Sequence, residues 1–151
     1  MLDTLISNQD RHHENWGFIE DHTQKISYLA PTYDHASSLG CRISDEEIER
    51  RLNTNDKRFK VSAYVKKATT PFFTEIDGAH KRLKTIDAFK MSASRHNDAA
   101  KYWLEKLDMI TDLQFEDIFS KISKELITES SIKFALAILK ENKLILLNSE
   151  I

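Results

Sequence analysis

The stretch Asn8-Gln9-Asp10-Arg11-His12-His13-Glu14-Asn15, followed later by Tyr33-Asp34-His35-Ala36-Ser37-Ser38, decides how the rest of the chain is read. Both segments are dense in Asn, Asp, His and Ser, residues that bond to their own backbone in turns, so each is expected to be a loop. Between them, Trp16-Gly17-Phe18-Ile19 and residues 25–30 read as two short strands, with Asp21-His22-Thr23-Gln24 as the turn. A hairpin returns the chain to the end it left, which puts both polar loops at the same end of the molecule. Upstream, Leu2, Leu5 and Ile6 have helical spacing, so residues 1–7 read as the end of a helix that leads into the first loop. Pro31 closes the second strand, and residues 32–40 form the second loop.

Further along, the pattern is helical. Ser44 with Glu47 three residues later predicts a capping box, and Ile48 and Leu52 give the stripe of the helix it starts. Residues 56–67 read as a helix with Phe59, Ala63 and Tyr64 inward, ended by Thr69-Thr70-Pro71 because the residue before proline resists helix. Residues 85–94 read as another, carrying Ile86, Phe89 and Met91. Asn97 is expected to cap a helix with Ala100, Trp103, Leu104 and Leu107 inward. Phe115, Ile118, Phe119 and Ile122 repeat the spacing, and Ser130 or Ser131 starts a last helix through Leu147. The expected fold is mainly α: a helical body with one small β-hairpin and two polar loops at one end, residues 1–151 forming one domain.

Composition narrows the class. The chain has 151 residues, 40% hydrophobic and 30% charged, with three glycines and two prolines, which favours helices over long linkers. No apolar run approaches the ~20 residues that span a bilayer, and the N-terminus lacks a secretory pattern. One cysteine, Cys41, excludes an internal disulfide and fits the reducing cytoplasm; nothing beside it marks an activated thiol. The net charge of −2 hides a gradient, with five Lys or Arg against ten acids in residues 1–55 but eleven against five in residues 56–101. A basic middle is the footprint of nucleic-acid binding. Here Lys57, Arg58, Lys60, Lys66, Lys67, Lys81, Arg82 and Lys84 read instead as solvated helix faces and loops, so direct nucleic-acid binding is disfavoured.

The two loops carry the chemistry. Transfer of a phosphoryl group needs a carboxylate to receive the proton of the attacking hydroxyl, and oxygen ligands for the magnesium that bridges the nucleotide phosphates. Protein kinases place the base and a metal-binding Asn five residues apart on one loop, and a second metal-binding Asp on another loop. Asp10 and Asn15 have that separation, and Asp34 follows 24 residues after Asp10, beyond the hairpin. Arg11 is expected to pair with a nearby acid.

The combination Asn8-x-Asp10-x-His12-x-x-Asn15, then Leu29-Ala30-Pro31-x-Tyr33-Asp34-x-x-Ser37, resembles the HipA-like family of bacterial serine/threonine kinases. Asp10-Arg11-His12-x-x-Asn15 also resembles the catalytic loop of phosphatidylinositol kinases. The resemblance covers about residues 5–40; the last helix, with Phe134-Ala135-Leu136-Ala137 and Asn142, is similar to the family's less distinctively. It implies that Asp10 is the catalytic base, that His12 supports the loop, and that Asn15 and Asp34 hold magnesium and through it ATP. It also implies a kinase C-terminal lobe of toxin–antitoxin type in the cytoplasm, with a protein substrate and, as a further partner, an antitoxin. The lobe that covers the nucleotide is expected to be absent from this chain. Gly17, Gly40 and Gly78 stand apart, so no Gly-x-Gly phosphate loop exists, and only nine residues precede Asp10. A separate upstream polypeptide supplying that lobe, a truncated remnant, and a reading frame begun at an internal methionine are the explanations. In each the lobe alone is expected to be inactive, with an apolar face exposed.

Two other readings compete. His12, His13, His22, His35, Asp10 and Glu14 are dense enough for a transition-metal site, although no His-Glu-x-x-His spacing occurs. Alternatively the polar loops are caps and turns on a non-catalytic interaction module. Trp16 is expected to pack on the hairpin, His13 and His22 to be exposed without role, and Ser37 and Ser38 either to cap or to act on phosphate.

Overall fold

The structure, a computed structural model, describes residues 1–76 and 79–151. About half of the described residues are helical, in seven helices: α1 (Leu2–Leu5), α2 (Asp45–Asn53), α3 (Val61–Val65), α4 (Thr85–Arg95), α5 (Asn97–Asp108), α6 (Asp112–Ser120) and α7 (Glu129–Leu147). Two antiparallel hairpins accompany them, β1 (Phe18–Asp21) with β2 (Ile26–Leu29), and β3 (Thr69–Ile76) with β4 (Ala79–Lys84). The mainly α expectation holds in that coarse sense, but the sequence reading foresaw only the first hairpin.

The spine is α7, whose apolar residues run round more than one face, the pattern of a helix buried on several sides. Phe134 and Ile138, both fully buried, sit four apart and pack with Ile48 of α2 and Val61 and Val65 of α3. Ala135, Leu139 and Leu146 face the other way, into a cluster with Leu5 of α1, Phe89 of α4, Leu107 of α5 and Phe115 and Phe119 of α6. Burial of each such large side chain is worth about 1.5–3 kcal/mol, so this double-faced helix holds the body together.

Helix starts follow local chemistry. Ser44 Oγ accepts from Glu47 N at 3.4 Å, but the Glu47 carboxylate does not reach back; Arg51 takes it, with Nη2 at 2.7 Å. The full capping box lies elsewhere, at Thr111 and Gln114. Thr128, not Ser130 or Ser131, caps α7, and α5 begins at Asn97 itself with His96 before it. Residues 56–67 are helical only over α3, with turns on either side; Val61 and Val65 go inward while Phe59 lies under the Arg51 guanidinium, 4.2 Å from the ring centroid. Trp103 and Ile118, expected inside, are more than half exposed, because among the described residues no element packs over those faces of α5 and α6.

The short α1 matters most for position. Asn142 of α7 is buried and its Nδ2 donates to the Leu5 carbonyl at 3.0 Å and to Ser7 Oγ at 2.8 Å. Thr4 Oγ1 donates to the Thr85 carbonyl at 3.0 Å, where β4 runs into α4. Ser7 adopts φ 51°, a left-handed conformation that ends α1 and turns the chain into the first polar loop.

Candidate functional site

The loop after α1 is built on its own side chains. Asn8, fully buried, donates from Nδ2 to Asp3 Oδ1 at 2.9 Å and accepts from the Asp10 amide at 3.1 Å, an Asx turn that sets the backbone of Asp10. The His12 amide donates to the Asp10 carbonyl at 2.9 Å, and the Asn15 amide to the His12 carbonyl at 3.1 Å. Asn15, also buried, returns its Nδ2 to the Asp10 carbonyl at 2.6 Å. Asp10 and Asn15 are therefore joined directly. His12 Nδ1 accepts from the Glu14 amide at 3.2 Å, so the imidazole serves the turn between them.

Arg11 ties this loop to the second one. Its Nε donates to both oxygens of Asp3, at 3.0 and 3.2 Å. Its Nη1 donates to the Asn15 carbonyl and to the Tyr33 carbonyl, the latter at 2.9 Å, and its Nη2 meets His35 Nδ1 at 2.9 Å. One buried guanidinium thus holds the end of the first loop and the residues on both sides of Asp34. The Gln9 amide to the Ser37 carbonyl, 3.3 Å, and Tyr33 Oη to the Glu14 carbonyl, 3.0 Å, stitch the same two loops.

Asp34 itself is exposed and left-handed, φ 51°. That conformation costs a non-glycine residue on the order of 1–3 kcal/mol and persists where surroundings over-determine it, as Tyr33 and His35 do here. Asp34 has no hydrogen bond to Asp10 or Asn15; what is shared is the arginine that grips its neighbours. Among the described residues Asn15 Oδ1 has no protein donor and the Asp34 carboxylate no partner, so both offer oxygen to a ligand.

Two cavities flank the first loop. One, of about 250 Å³, opens at Asp10 and is lined by Gln9, Ser37, Arg42, Tyr64 and Arg82. Burial raises the Tyr64 phenol above its ordinary pKa, with the Cys41 thiol a smaller cause, so it stays a neutral donor. The other, of about 320 Å³, opens at Asn15 and is apolar, walled by Trp16, Leu29, Pro31 and Phe72. Trp16 stacks edge-on against Phe18 at 5.9 Å. Phe18, Ile26, Tyr28 and Leu29 of the first hairpin are about half exposed or more.

His13 and His22 are exposed, and so is Cys41, its Sγ donating to the Ala36 carbonyl at 2.6 Å. Ser38 Oγ bonds back to the His35 carbonyl, a turn role. Among the described residues no group of three or more His, Cys, Asp or Glu is arranged to hold a metal. Sequence reasoning foresaw that Arg11 pairs with an acid but missed that it is the clamp; His35 and Asn8 were missed as parts of the frame.

No family profile matches the chain, and no solved structure matches it. A stretch of 57 residues is 35% identical to serine/threonine-protein kinase CtkA of Helicobacter pylori (strain J99) and makes up 38% of this chain and 18% of that kinase. The chain thus covers less than a fifth of that relative's length. Over this part, the sequence is similar to that of a serine/threonine kinase.

Proposed function

We propose that this chain is the catalytic C-terminal lobe of an ATP- and magnesium-dependent protein serine/threonine kinase of the HipA toxin type. It acts with a nucleotide-covering lobe that lies outside these 151 residues. The observation that carries this reading is the Arg11 clamp, which hydrogen-bonds the Asp10–Asn15 loop to the residues on both sides of Asp34. Partial similarity to a serine/threonine kinase supports it independently.

The residues fit the group. Magnesium prefers hard oxygen ligands and is commonly held by one or two carboxylates plus phosphate oxygens, and the side chains of Asn15 and Asp34 offer oxygen of that kind. Asn15 Oδ1 and the Asp34 carboxylate are the ligands in this reading; magnesium, when bound, offsets phosphate charge. Asp10 would orient the acceptor hydroxyl and take its proton as the oxygen bonds to the terminal phosphorus of ATP and the bond from that phosphorus to the bridging oxygen breaks, releasing ADP. The Asn15 amide fixes the Asp10 backbone, and His12 holds the turn between them, so the base needs little reorganisation. The apolar cavity beside Asn15 and the exposed first hairpin are where the nucleotide base and the covering lobe would rest. A protein substrate, an antitoxin partner and a cytoplasmic location go with this reading; no helix among the described residues is long and apolar enough to cross a membrane.

The test is phosphoryl transfer. Purified alone, the chain is expected to transfer negligible phosphate from ATP. Joined to a HipA-type N-terminal lobe it should phosphorylate a protein substrate, and Asp10→Ala should abolish turnover. Unchanged turnover in Asp10→Ala would remove Asp10 as the base.

A further inference from the structure

Two arginines far apart in sequence line the cavity beside Asp10. Arg42 comes from the turn before α2, and Arg82 from β4 of the second hairpin. The second hairpin straddles the first loop: Phe72 of β3 walls the apolar cavity at Asn15, while Arg82, paired in register with the next residue Phe73, reaches the cavity at Asp10. Arg42 is steered by a neutral partner, its Nη2 donating to Ser37 Oγ at 2.9 Å, and so keeps its whole charge and its remaining N–H groups for another acceptor. Among its described lining residues the cavity has two guanidinium groups, those of Arg42 and Arg82, and one carboxylate, that of Asp10.

The side on which it opens matters. Asn15 and Asp34, the candidate metal ligands, do not line it; Asp10 does. A group entering here meets Asp10 without touching Asn15 or Asp34, which suits an acceptor side chain better than a metal ion. At about 250 Å³ the cavity is at the small end for a ligand site, suited to side chains rather than a nucleotide. Guanidinium forks match carboxylate and phosphate oxygens in pairs, which gives such a site both charge and geometric selectivity.

We propose, resting on the kinase reading, that Arg42 and Arg82 bind a carboxylate or phosphate on a residue adjacent to the acceptor serine or threonine. Substrates are then segments in which the hydroxyl is flanked by Asp, Glu or an already phosphorylated residue. The contact lies beside the reacting centre, so it selects and positions the acceptor rather than taking part in bond making.

The experiment is fluorescence anisotropy of the full chain with labelled peptides that carry one serine flanked by Glu, by phosphoserine, by Gln or by Lys. Glu and phosphoserine peptides should bind on the order of 10-fold tighter than the Gln peptide, and the Lys peptide more weakly. The Arg42→Gln/Arg82→Gln variant should lose that preference, and Arg82→Glu should shift it toward the Lys peptide. Both positions are exposed, and circular dichroism is to check that the variants fold. Equal affinity for all peptides, no binding, or a preference untouched in the double variant overturns the proposal. So does an effect of the arginines on the affinity for an ATP analogue with none on peptides. Binding needs no phosphoryl transfer: selective binding without transfer, once the covering lobe is joined, supports the anion site and sinks the kinase reading alone. Transfer indifferent to flanking charge sinks the anion site alone.

Discussion

Arg11 Nη2 lies 2.9 Å from His35 Nδ1, across 24 residues of sequence. A guanidinium can only donate, so Nδ1 accepts and the His35 ring carries its proton on Nε2. The same side chain serves Asp3 and two carbonyl oxygens, from three segments of chain. A lysine has one point charge and no fork, and cannot reach all of these together. Arg11→Lys and Arg11→Gln are both expected to destabilise the fold by about 2–4 kcal/mol, since buried acceptors lose their donor. The range is set below that of a wholly buried ion pair because the Asp3 side chain is 33% exposed. Urea unfolding measures it; a loss under about 0.5 kcal/mol, the scale of an ordinary surface substitution, means Arg11 is not the clamp.

Gly40 closes the second loop against α7. Its φ is +76°, and a Cβ added there would stand 2.5 Å from Phe134 Cε1 in the core. Gly40→Ala combines a left-handed backbone with overpacking of a fully buried ring, and is expected to cost about 2–4 kcal/mol. Gly17→Ala is the control: its Cβ would meet only Tyr33 Oη at 3.8 Å, so its cost should stay within about 1 kcal/mol. Thermal or urea melts of the pair decide it, and similar losses for both would contradict the contact with Phe134.

What could be read from the sequence was what is local. Asx turns, strand ends and a proline stop depend on neighbours in the chain, so both polar loops and the first hairpin were legible. Pairing of Phe73 with Arg82 depends on a partner strand, and Lys81, Arg82 and Lys84 carry no alternation that separates a strand from a solvated helix face. Trp103 shows the opposite failure: it has helical spacing with Ala100 and Leu107, but lies just outside the stripe that α7 covers. Asp10, Asn15 and Asp34 were legible as a spacing. Their frame was not, because Arg11 finds its acceptors 8 residues back and 4, 22 and 24 residues on.

Asn142 is the link between the α7 spine and the candidate site. It is polar, buried and satisfied, giving both amide hydrogens to the end of α1. Asn142→Leu keeps the volume but leaves the Leu5 carbonyl and the Ser7 hydroxyl without that donor, an expected loss of about 1–3 kcal/mol. Amide exchange should also quicken around Ser7 and Asn8 more than at the middle of α7. Uniform quickening would mean that the residue supports the core in general and not the loop.

Asp10 and Asp34 have different tasks in the proposed reaction, and magnesium separates them. Asp34 would hold the metal, so Asp34→Asn should weaken magnesium-dependent binding of a non-hydrolysable ATP analogue by on the order of 10-fold or more in the form joined to a nucleotide-covering lobe. Asp10→Asn removes the proton acceptor but no metal ligand. That variant should bind the analogue within about 3-fold of the parent and turn over more than about 10²-fold slower. Chelating magnesium with EDTA should reproduce the Asp34 effect in the parent and add little in Asp34→Asn. Calorimetric titration, with and without magnesium, reads all of this. If analogue binding ignores both Asp34 and magnesium while a protein partner still binds, the chain is an interaction module and Asp34 is only the left-handed corner of its second loop.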